Sequence, residues 1–244
     1  MLRDVSLTFD APVTAIIGPN GAGKSTLLRL LGGVADQRGR SGSVELDNTP
    51  IARVPVGERV RRMAYMSQSP RVSAPLSVSE VVALGRATQD PDDEAVRRAL
   101  ATVGLEDRGD ERFEHLSIGQ RQLAAFARVL AQLDGPNAGE TRYLLADEPV
   151  ASLDPRHAIV ISQQVRAAAD RGIRGVLIVH DVGFAAAIAD RVVCLGEDGA
   201  VRAEGHPDEV LTREVLEDLF GCRFGETNGA RLYPVYRAPA TDPA

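Results

Sequence analysis

A glycine-rich stretch that contains a lysine is the part of the sequence whose residue types and spacing most directly indicate chemistry. It consists of Gly18, Pro19, Asn20, Gly21, Ala22, Gly23, Lys24, Ser25 and Thr26. This order fits the G-x-x-x-x-G-K-[ST] pattern, in which glycines let successive backbone N–H groups surround an oxyanion. Lys24 would reach the β and γ phosphates of a nucleotide, Ser25 a Mg²⁺ ion, and Thr26 the α and β phosphates. A glycine-rich turn without a ligand is the alternative. The strand pattern before the stretch and the helical pattern after it favour a phosphate loop.

Two adjacent carboxylates, Asp147 and Glu148, follow the apolar run at residues 143–146. In a protein with a phosphate loop, an acid at the carboxyl end of a neighbouring buried strand is placed to hold the Mg²⁺ ion, and we assign this role to Asp147. Glu148 lies one residue further, where it could orient or polarise an attacking water molecule. An Asp-Glu pair at a strand end is typical of a turn, but the phosphate loop upstream favours the chemical interpretation.

A third candidate site lies at the start of a predicted helix over residues 117–133, whose apolar positions fall on one face. Ser117 and Gln120 have the spacing of a capping box, which is a purely structural explanation. A capped helix start with Gly119 in its first turn is equally suited to binding a phosphate. Taken alone, these residues favour the cap.

The elements that must position these residues alternate along the chain. Apolar runs at residues 13–17, 143–146, 176–179 and 191–195 predict buried strands, and residues 5–9 alternate as a further strand would. Helical patterns at 78–86, 91–104 and 117–133 interrupt the alternation of strands and helices. We therefore predict an α/β fold, with a parallel sheet core, antiparallel edge strands and an inserted α-helical subdomain. The predicted division is one domain over residues 1–244, with a core at 1–68 and 134–237, an insertion at 69–133 and a disordered tail at 238–244.

The amino-acid composition narrows the range of possible functions. The chain has 244 residues, a net charge of -6, 4% aromatic residues and no tryptophan, which argues against a nucleic-acid partner. Cys194 and Cys222 lie far apart and do not suggest a disulfide framework, so we expect a reducing compartment. The sequence starts without a signal-peptide pattern, and no apolar run approaches the roughly 18 residues that span a bilayer. Any role at a membrane would depend on a partner.

Taken in order, these segments resemble the ATP-binding cassette (ABC) ATPases over nearly the whole chain. The resemblance rests on residues 18–26, Gln68, residues 116–120, residues 143–148, Ser152, Leu153, Asp154 and His180. It implies a P-loop NTPase fold of the RecA-like type and hydrolysis of ATP with Mg²⁺. It also implies that Lys24 and Ser25 bind the phosphates and Mg²⁺, that Gln68 contacts Mg²⁺, and that Asp147 is the metal-side acid. Glu148 would be the catalytic base and His180 the sensor of the γ phosphate.

The resemblance further implies a homodimer that encloses two ATP·Mg²⁺. Ser117, Gly119 and Gln120 would close on the nucleotide of the opposite subunit, and Asp154 would line the dimer interface. Each residue also has a simpler explanation. Gln68 could be a solvated strand end and Asp154 an N-cap, and His180 could be structural.

Two departures from the family pattern affect these expectations. Ile118 stands where the family usually has glycine, so a β-branched side chain lies beside the phosphate-facing turn. An upstream strand that usually carries an aromatic residue stacked on adenine has no counterpart in the sequence before Val5. Phe9 corresponds by position to the following strand, so we do not assign it to adenine.

Further segments resemble the ATPases of importers for iron chelates, haem and cobalamin. They are residues 83–86, the long loop at 134–141, and the chain end at 203–212 and 219–222. We expect a peripheral subunit on the cytoplasmic face of the cell membrane that drives a separate permease, with a solute-binding protein as an indirect partner. The connector at 69–79, with Val72, Leu76 and Val78 expected to be exposed, would dock on the permease together with the helix after it. An exporter ATPase and an importer for another solute remain alternatives.

Overall fold

The computed structural model describes residues 2–35, 41–135, 139–227 and 231–234. The tail predicted at 238–244 and the middle of the loop at 134–141 lie outside these ranges. The strands are β1 (Val13–Ile17), β2 (Glu45–Leu46), β3 (Thr49–Pro50), β4 (Met63–Met66), β5 (Arg142–Asp147), β6 (Ile173–Ile178), β7 (Arg191–Leu195), β8 (Val201–Gly205), β9 (Phe224–Thr227) and β10 (Arg231–Pro234). The α-helices are α1 (Lys24–Leu31), α2 (Val56–Arg62), α3 (Val78–Ala83), α4 (Asp93–Thr102), α5 (Ile118–Leu133), α6 (Pro155–Asp170), α7 (Val182–Ile188), α8 (Pro207–Val210) and α9 (Arg213–Phe220). Short 3₁₀ segments lie at Ile51–Arg53, Leu84–Arg86, Glu106–Arg108 and Phe113–His115.

The main sheet has six strands in the order β4-β5-β6-β1-β7-β8. The first five are parallel, and β8 pairs antiparallel with β7 at one edge. Each parallel pair needs a crossover, and helices cover the sheet for this reason. The fold class predicted from sequence, a parallel core with an antiparallel edge, is confirmed. Two further antiparallel pairs, β2 with β3 and β9 with β10, lie outside this sheet.

The sheet is buried on both faces. In the central strand β1 every residue is buried. Val13, Ala15 and Ile17 belong to one apolar cluster, which also contains the inner faces of α5 and α6. Ile16 belongs to a second cluster on the opposite face, together with residues of α1. This two-sided burial explains why the strands read as continuous apolar runs in the sequence.

The parallel register brings the carboxyl ends of all five parallel strands to one edge of the sheet. Ile16 pairs with Ile178, and Ile178 pairs with Asp147 in turn. Met66 pairs with Ala146 on the outer side of β5. The residues that follow these strands therefore lie along one edge, where ligands bind in open α/β sheets.

Helices α3, α4 and α5 pack against one another between β4 and β5 in the chain. The packing is tight at Gly85, where a Cβ atom would lie 2.3 Å from the carbonyl oxygen of Arg128. Helix α5 also reaches the sheet, because Phe126 and its apolar neighbours belong to the same cluster as β1. No helix in the ranges given above is long and apolar enough to cross a membrane.

Two local expectations are wrong. Residues 5–9 pair with no strand in the described part of the chain, although Leu7 and Phe9 are half-buried on the cluster around Ile16. Their alternation reflects one buried face, whereas a strand also needs a neighbour for its backbone hydrogen bonds. Nor are the apolar residues of the connector exposed. Val78 is fully buried, and Val72 and Leu76 pack against the main cluster, because they attach the connector to the helices that follow it.

Candidate active site

The phosphate loop connects β1 to α1 through three glycines with positive φ. The φ angles of Gly18, Gly21 and Gly23 are 149°, 87° and 96°. These values lie in the region that side chains rarely adopt, and Gly23 is the N-cap of α1. At Gly18 a Cβ atom would lie 2.1 Å from the carbonyl oxygen of Leu195, so the backbone requires glycine there. The loop ends at the start of α1, where free N–H groups and the helix dipole favour an anion.

Lys24 lies inside this loop. Its side chain is buried, and Nζ donates hydrogen bonds to the carbonyl oxygens of Gly18 and Pro19 at 2.7 and 2.9 Å. Burial lowers the pKa of Lys24, while the charges of Glu148 and Asp147 act in the opposite direction. The ammonium group is thus held by neutral carbonyls within reach of two carboxylates, and a bound phosphate would supply a stronger partner.

Asp147 ends β5 and is only 4% exposed. Burial raises the pKa of Asp147, and a hydrogen bond with the side chain of Ser25 opposes that rise. Among the described residues its Oδ1 has no hydrogen-bond partner. A buried carboxylate oxygen without a donor is unfavourable, and a hard cation is the ligand that would satisfy it. Ser25 and Asp147 therefore fit Mg²⁺.

Glu148 adopts an unusual backbone conformation. Its φ is 51°, one of few positive values at residues other than glycine, and such a conformation costs about 1 to 3 kcal/mol. The N–H of Glu148 donates to the carbonyl oxygen of Ile178 at 3.1 Å, which ties the residue to the end of β6. On the side chain, Glu148 Oε1 lies within hydrogen-bonding distance of His180 Nε2, at 2.6 Å. The structure thus brings His180 and Glu148 together beside Asp147 and the phosphate loop.

Gln68 lies two residues beyond β4, at the same edge of the sheet as Asp147 but on a neighbouring strand. Its side chain is exposed, and no hydrogen bond joins it to Asp147 or Glu148 in the part of the chain that the structure describes. It is therefore near the site by topology and free to contact a ligand.

The start of α5 forms the capping box that the spacing suggested. Ser117 Oγ accepts a hydrogen bond from Gln120 N at 3.2 Å, and Ser117 N donates to Gln120 Oε1 at 3.0 Å. Ile118 is 72% exposed. A Cβ atom on Gly119 would lie 3.1 Å from the carbonyl oxygen of Ser152. These residues thus adjoin the turn after Glu148, and no hydrogen bond links them to residues 18–26 within the described ranges.

Asp154 is the N-cap of α6, as its simpler explanation required. Its Oδ1 accepts from the N–H of His157 at 3.0 Å, and its Oδ2 lies 2.9 Å from His157 Nδ1. The hydrogen bond from the His157 backbone and the His157 side chain hold the pKa of Asp154 below its ordinary value. The cap leaves Asp154 exposed at the surface, so capping and a place at an interface are compatible.

The sequence profile of the family described as ABC transporter matches residues 2–151, more than half of the chain. This chain belongs to the ABC transporter ATPase family. A hemin import ATP-binding protein HmuV of Rhodopseudomonas palustris (strain ATCC BAA-98 / CGA009) is 42% identical over 225 residues, which cover 89% of this chain and 80% of that protein. The protein of the same name from Bordetella pertussis (strain Tohama I / ATCC BAA-589 / NCTC 13251) is 41% identical over 230 residues, covering 91% and 86%.

Among solved structures, the ATP-binding cassette MJ0796, a dimer in a post-hydrolysis state bound to ADP and Pi, superimposes on this ABC ATPase with a TM-score of 0.73. It is 25% identical, and the match covers 84% of this chain and 90% of that chain. The predictions of an ABC-type ATPase of a transporter, of nucleotide binding and of ATP hydrolysis are confirmed by these relatives.

Two residues of this ABC ATPase were not singled out by the sequence. His157 holds the carboxylate of Asp154, and nothing in the sequence distinguishes it from an ordinary helical residue. Gln122 is buried, and its Nε2 donates to the carbonyl oxygen of Glu148 at 3.0 Å. A signal for Gln122 did exist, because it lies one helical turn before Phe126 on the apolar face of α5, where a polar residue is unexpected.

Proposed function

We propose that this chain is the ATPase subunit of an importer for haem or a related metal chelate, such as a ferric siderophore or cobalamin. The observation that carries the proposal is the 42% identity, over 89% of the chain, to a protein named for hemin import. The subunit would lie on the cytoplasmic face of the membrane and drive a separate permease that receives its cargo from a solute-binding protein.

At the catalytic centre, Glu148 acts as the general base that accepts a proton from the attacking water. The support is its place beside Lys24 and its contact with His180 at 2.6 Å. His180 would report on the γ phosphate through the same contact. Residues 18–23 and Thr26 would hold the phosphates with backbone and hydroxyl groups, while Lys24 offsets their charge.

Mg²⁺ would be held by Ser25, Asp147 and Gln68. The unpartnered Oδ1 of Asp147 and its hydrogen-bonded neighbour Ser25 support this assignment. When bound, the ion would neutralise charge on the β and γ phosphates. The residues have separate roles, because Ser25 and Asp147 would bind the metal ion, whereas Glu148 would accept the proton of the attacking water.

Two copies of the chain would form a dimer around two nucleotides. Within one chain the start of α5 adjoins residues 152–153 and has no hydrogen bond to the described phosphate loop, so Ser117, Gly119 and Gln120 are available to a second copy. Asp154 would lie at the same interface. The dimeric state of the cassette MJ0796 supports this arrangement.

The proposed transport function can be tested by reconstituting the chain with its membrane partner in lipid vesicles. Haemin, supplied together with its solute-binding protein, should stimulate ATP hydrolysis by these vesicles more than cobalamin or a ferric siderophore supplied in the same way. Faster hydrolysis with one of the other chelates would change the cargo but keep the class. Stimulation without any binding protein, with movement of solute away from the ATP-containing side, would identify an exporter and contradict the proposal.

A prediction about stability follows from the burial of Asp147. Because the pKa of Asp147 is raised in the folded state, the ionised carboxylate destabilises the fold once the pH rises above its ordinary pKa of 3.8. Well below that pH the carboxyl group is protonated in both states, and this destabilisation is absent. Asp147→Asn should therefore raise the melting temperature at neutral pH without nucleotide or metal. The same variant should lose most of the extra stabilisation that ATP with Mg²⁺ gives the parent. Exposed Asp107 provides the control, since Asp107→Asn should change neither value.

A second prediction concerns the surface that docks on the permease. The connector at 69–79 and the following helix should provide it, because Ser73 is exposed and Leu84 is 50% exposed at the end of α3. In a background where exposed Cys222 is replaced by serine, Ser73→Cys and Leu84→Cys should crosslink to the membrane subunit. Asp218→Cys on α9 is the control. Crosslinks from position 218 alone would show that a different face docks.

A further inference from the structure

Gln122 points a buried amide at the backbone of the catalytic base. Its side chain is 2% exposed, and Nε2 lies 3.0 Å from the carbonyl oxygen of Glu148. The following residues of α5, Leu123 and Ala124, are apolar and equally buried. A buried polar side chain is unfavourable unless it has a partner, so this amide is matched to one carbonyl. We propose that Gln122 is a positioning residue that fixes the orientation of Glu148 and makes it depend on the position of α5.

The backbone of Glu148 is held from two sides. Its N–H donates to Ile178 of β6 at 3.1 Å, and its carbonyl oxygen accepts from Gln122 and, at 3.3 Å, from the N–H of Ala151. Gln122 is the only side chain in the described ranges that hydrogen bonds to this backbone. With φ at 51°, Glu148 is in a conformation that persists only where its surroundings enforce it. The direction of the Cα–Cβ bond, and hence of the carboxylate, follows from that conformation.

Helix α5 carries this contact and the proposed nucleotide-closing residues on one rigid element. Gln122 lies two residues after Gln120, so a displacement of the helix start moves both. At the other end of α5, Gln132 Nε2 donates to the carbonyl oxygens of Val60 and Met63 at 2.6 and 3.2 Å. Met63 begins β4, so these hydrogen bonds of Gln132 lie at the amino-terminal end of the parallel strands, whereas Glu148 lies at their carboxyl end. A tilt of α5 about its anchored end would change the hydrogen bond between Gln122 and Glu148.

Two glutamines of α5, Gln122 and Gln132, allow the proposal to be tested with a matched pair of variants. Gln122→Met and Gln132→Met each remove one side-chain amide of α5, which donates to one backbone carbonyl at Gln122 and to two at Gln132, with little change in side-chain volume. Only the first touches Glu148. We expect Gln122→Met to lower kcat for ATP by about 10- to 100-fold while KM stays within about 2-fold, because misplacing a reacting group affects turnover rather than binding. Gln132→Met should lower the melting temperature to a similar degree and keep kcat within about 3-fold of the parent, because buried Val129, Ala131 and Leu133 still hold that end of α5 in place. Equal losses of kcat in the two variants would mean that Gln122 only stabilises the fold, and would overturn the proposal.

A double variant tests whether Gln122 acts through Glu148. In a Glu148→Gln background, measured as a single turnover, Gln122→Met should cause no further loss of rate. A further loss of the same size as in the parent would show that Gln122 acts elsewhere. If Gln122→Met does not fold, Gln122→Leu provides the same comparison.

The inference rests on Glu148 as the base, and its failure can be distinguished from failure of that assignment. An inactive Glu148→Gln variant together with an active Gln122→Met variant would overturn the inference alone. A fully active Glu148→Gln variant would overturn both.

Discussion

Replacing Glu148 with glutamine should keep ATP binding and lower the rate of ATP hydrolysis by about 10²- to 10⁴-fold, the usual effect of losing a positioned base. The amide has nearly the same shape as the carboxylate but cannot accept the proton of the attacking water. Removing its charge beside a bound γ phosphate should also favour the closed dimer, since like charges would no longer repel. Steady-state hydrolysis and calorimetric ATP binding measure the first effect, and gel filtration with ATP and Mg²⁺ should show the variant as a dimer.

The control for Glu148 is Glu106→Gln, which changes the same functional group at an exposed position away from the site. It should hydrolyse ATP at the parental rate and elute like the parent. A Glu148→Gln variant that behaves like this control would remove Glu148 from the mechanism.

Replacing Lys24 with alanine should weaken ATP binding by about 10- to 150-fold, the equivalent of one lost hydrogen bond to a charged group. Lys24 is the only lysine in the sequence, so no other lysine can take its place. The variant also removes the Nζ donor from the carbonyl oxygens of Gly18 and Pro19, of which Pro19 keeps the N–H of Ala22 as a donor at 3.3 Å. Calorimetric titration with ATP measures the affinity, and the melting temperature shows whether the loop still folds.

Arg97→Ala provides the comparison for Lys24, because it removes a positive charge from an exposed position on α4, away from the phosphate loop. Its ATP affinity should stay close to that of the parent, since the charge is screened by solvent. Equal affinities of the Lys24→Ala variant and the parent would mean that the stretch at 18–26 does not bind phosphate.

The sequence predicted those parts of the fold and site that depend on local pattern. The phosphate loop, the strand before it and the capping box at Ser117 are set by residues within a few positions of one another. The left-handed backbone of Glu148 and its contact with Gln122 join segments that are distant in the chain, and no local pattern reveals them. The strand predicted at residues 5–9 is wrong for a related reason. Alternation of apolar and polar residues indicates that one face is buried, but it does not show that a partner strand is present.

The two amides of α5 have a mechanical consequence. The helix has 16 residues, and at about 1.5 Å per residue it is about 24 Å long. With the Gln132 end as the fulcrum, a rotation of about 5° would move the tip by about 2 Å and Gln122, ten residues from the fulcrum, by about 1.3 Å. A hydrogen bond of 3.0 Å that lengthens by this amount is broken. The helix would therefore work as a lever, in which a small rotation switches a single contact at the proposed catalytic base.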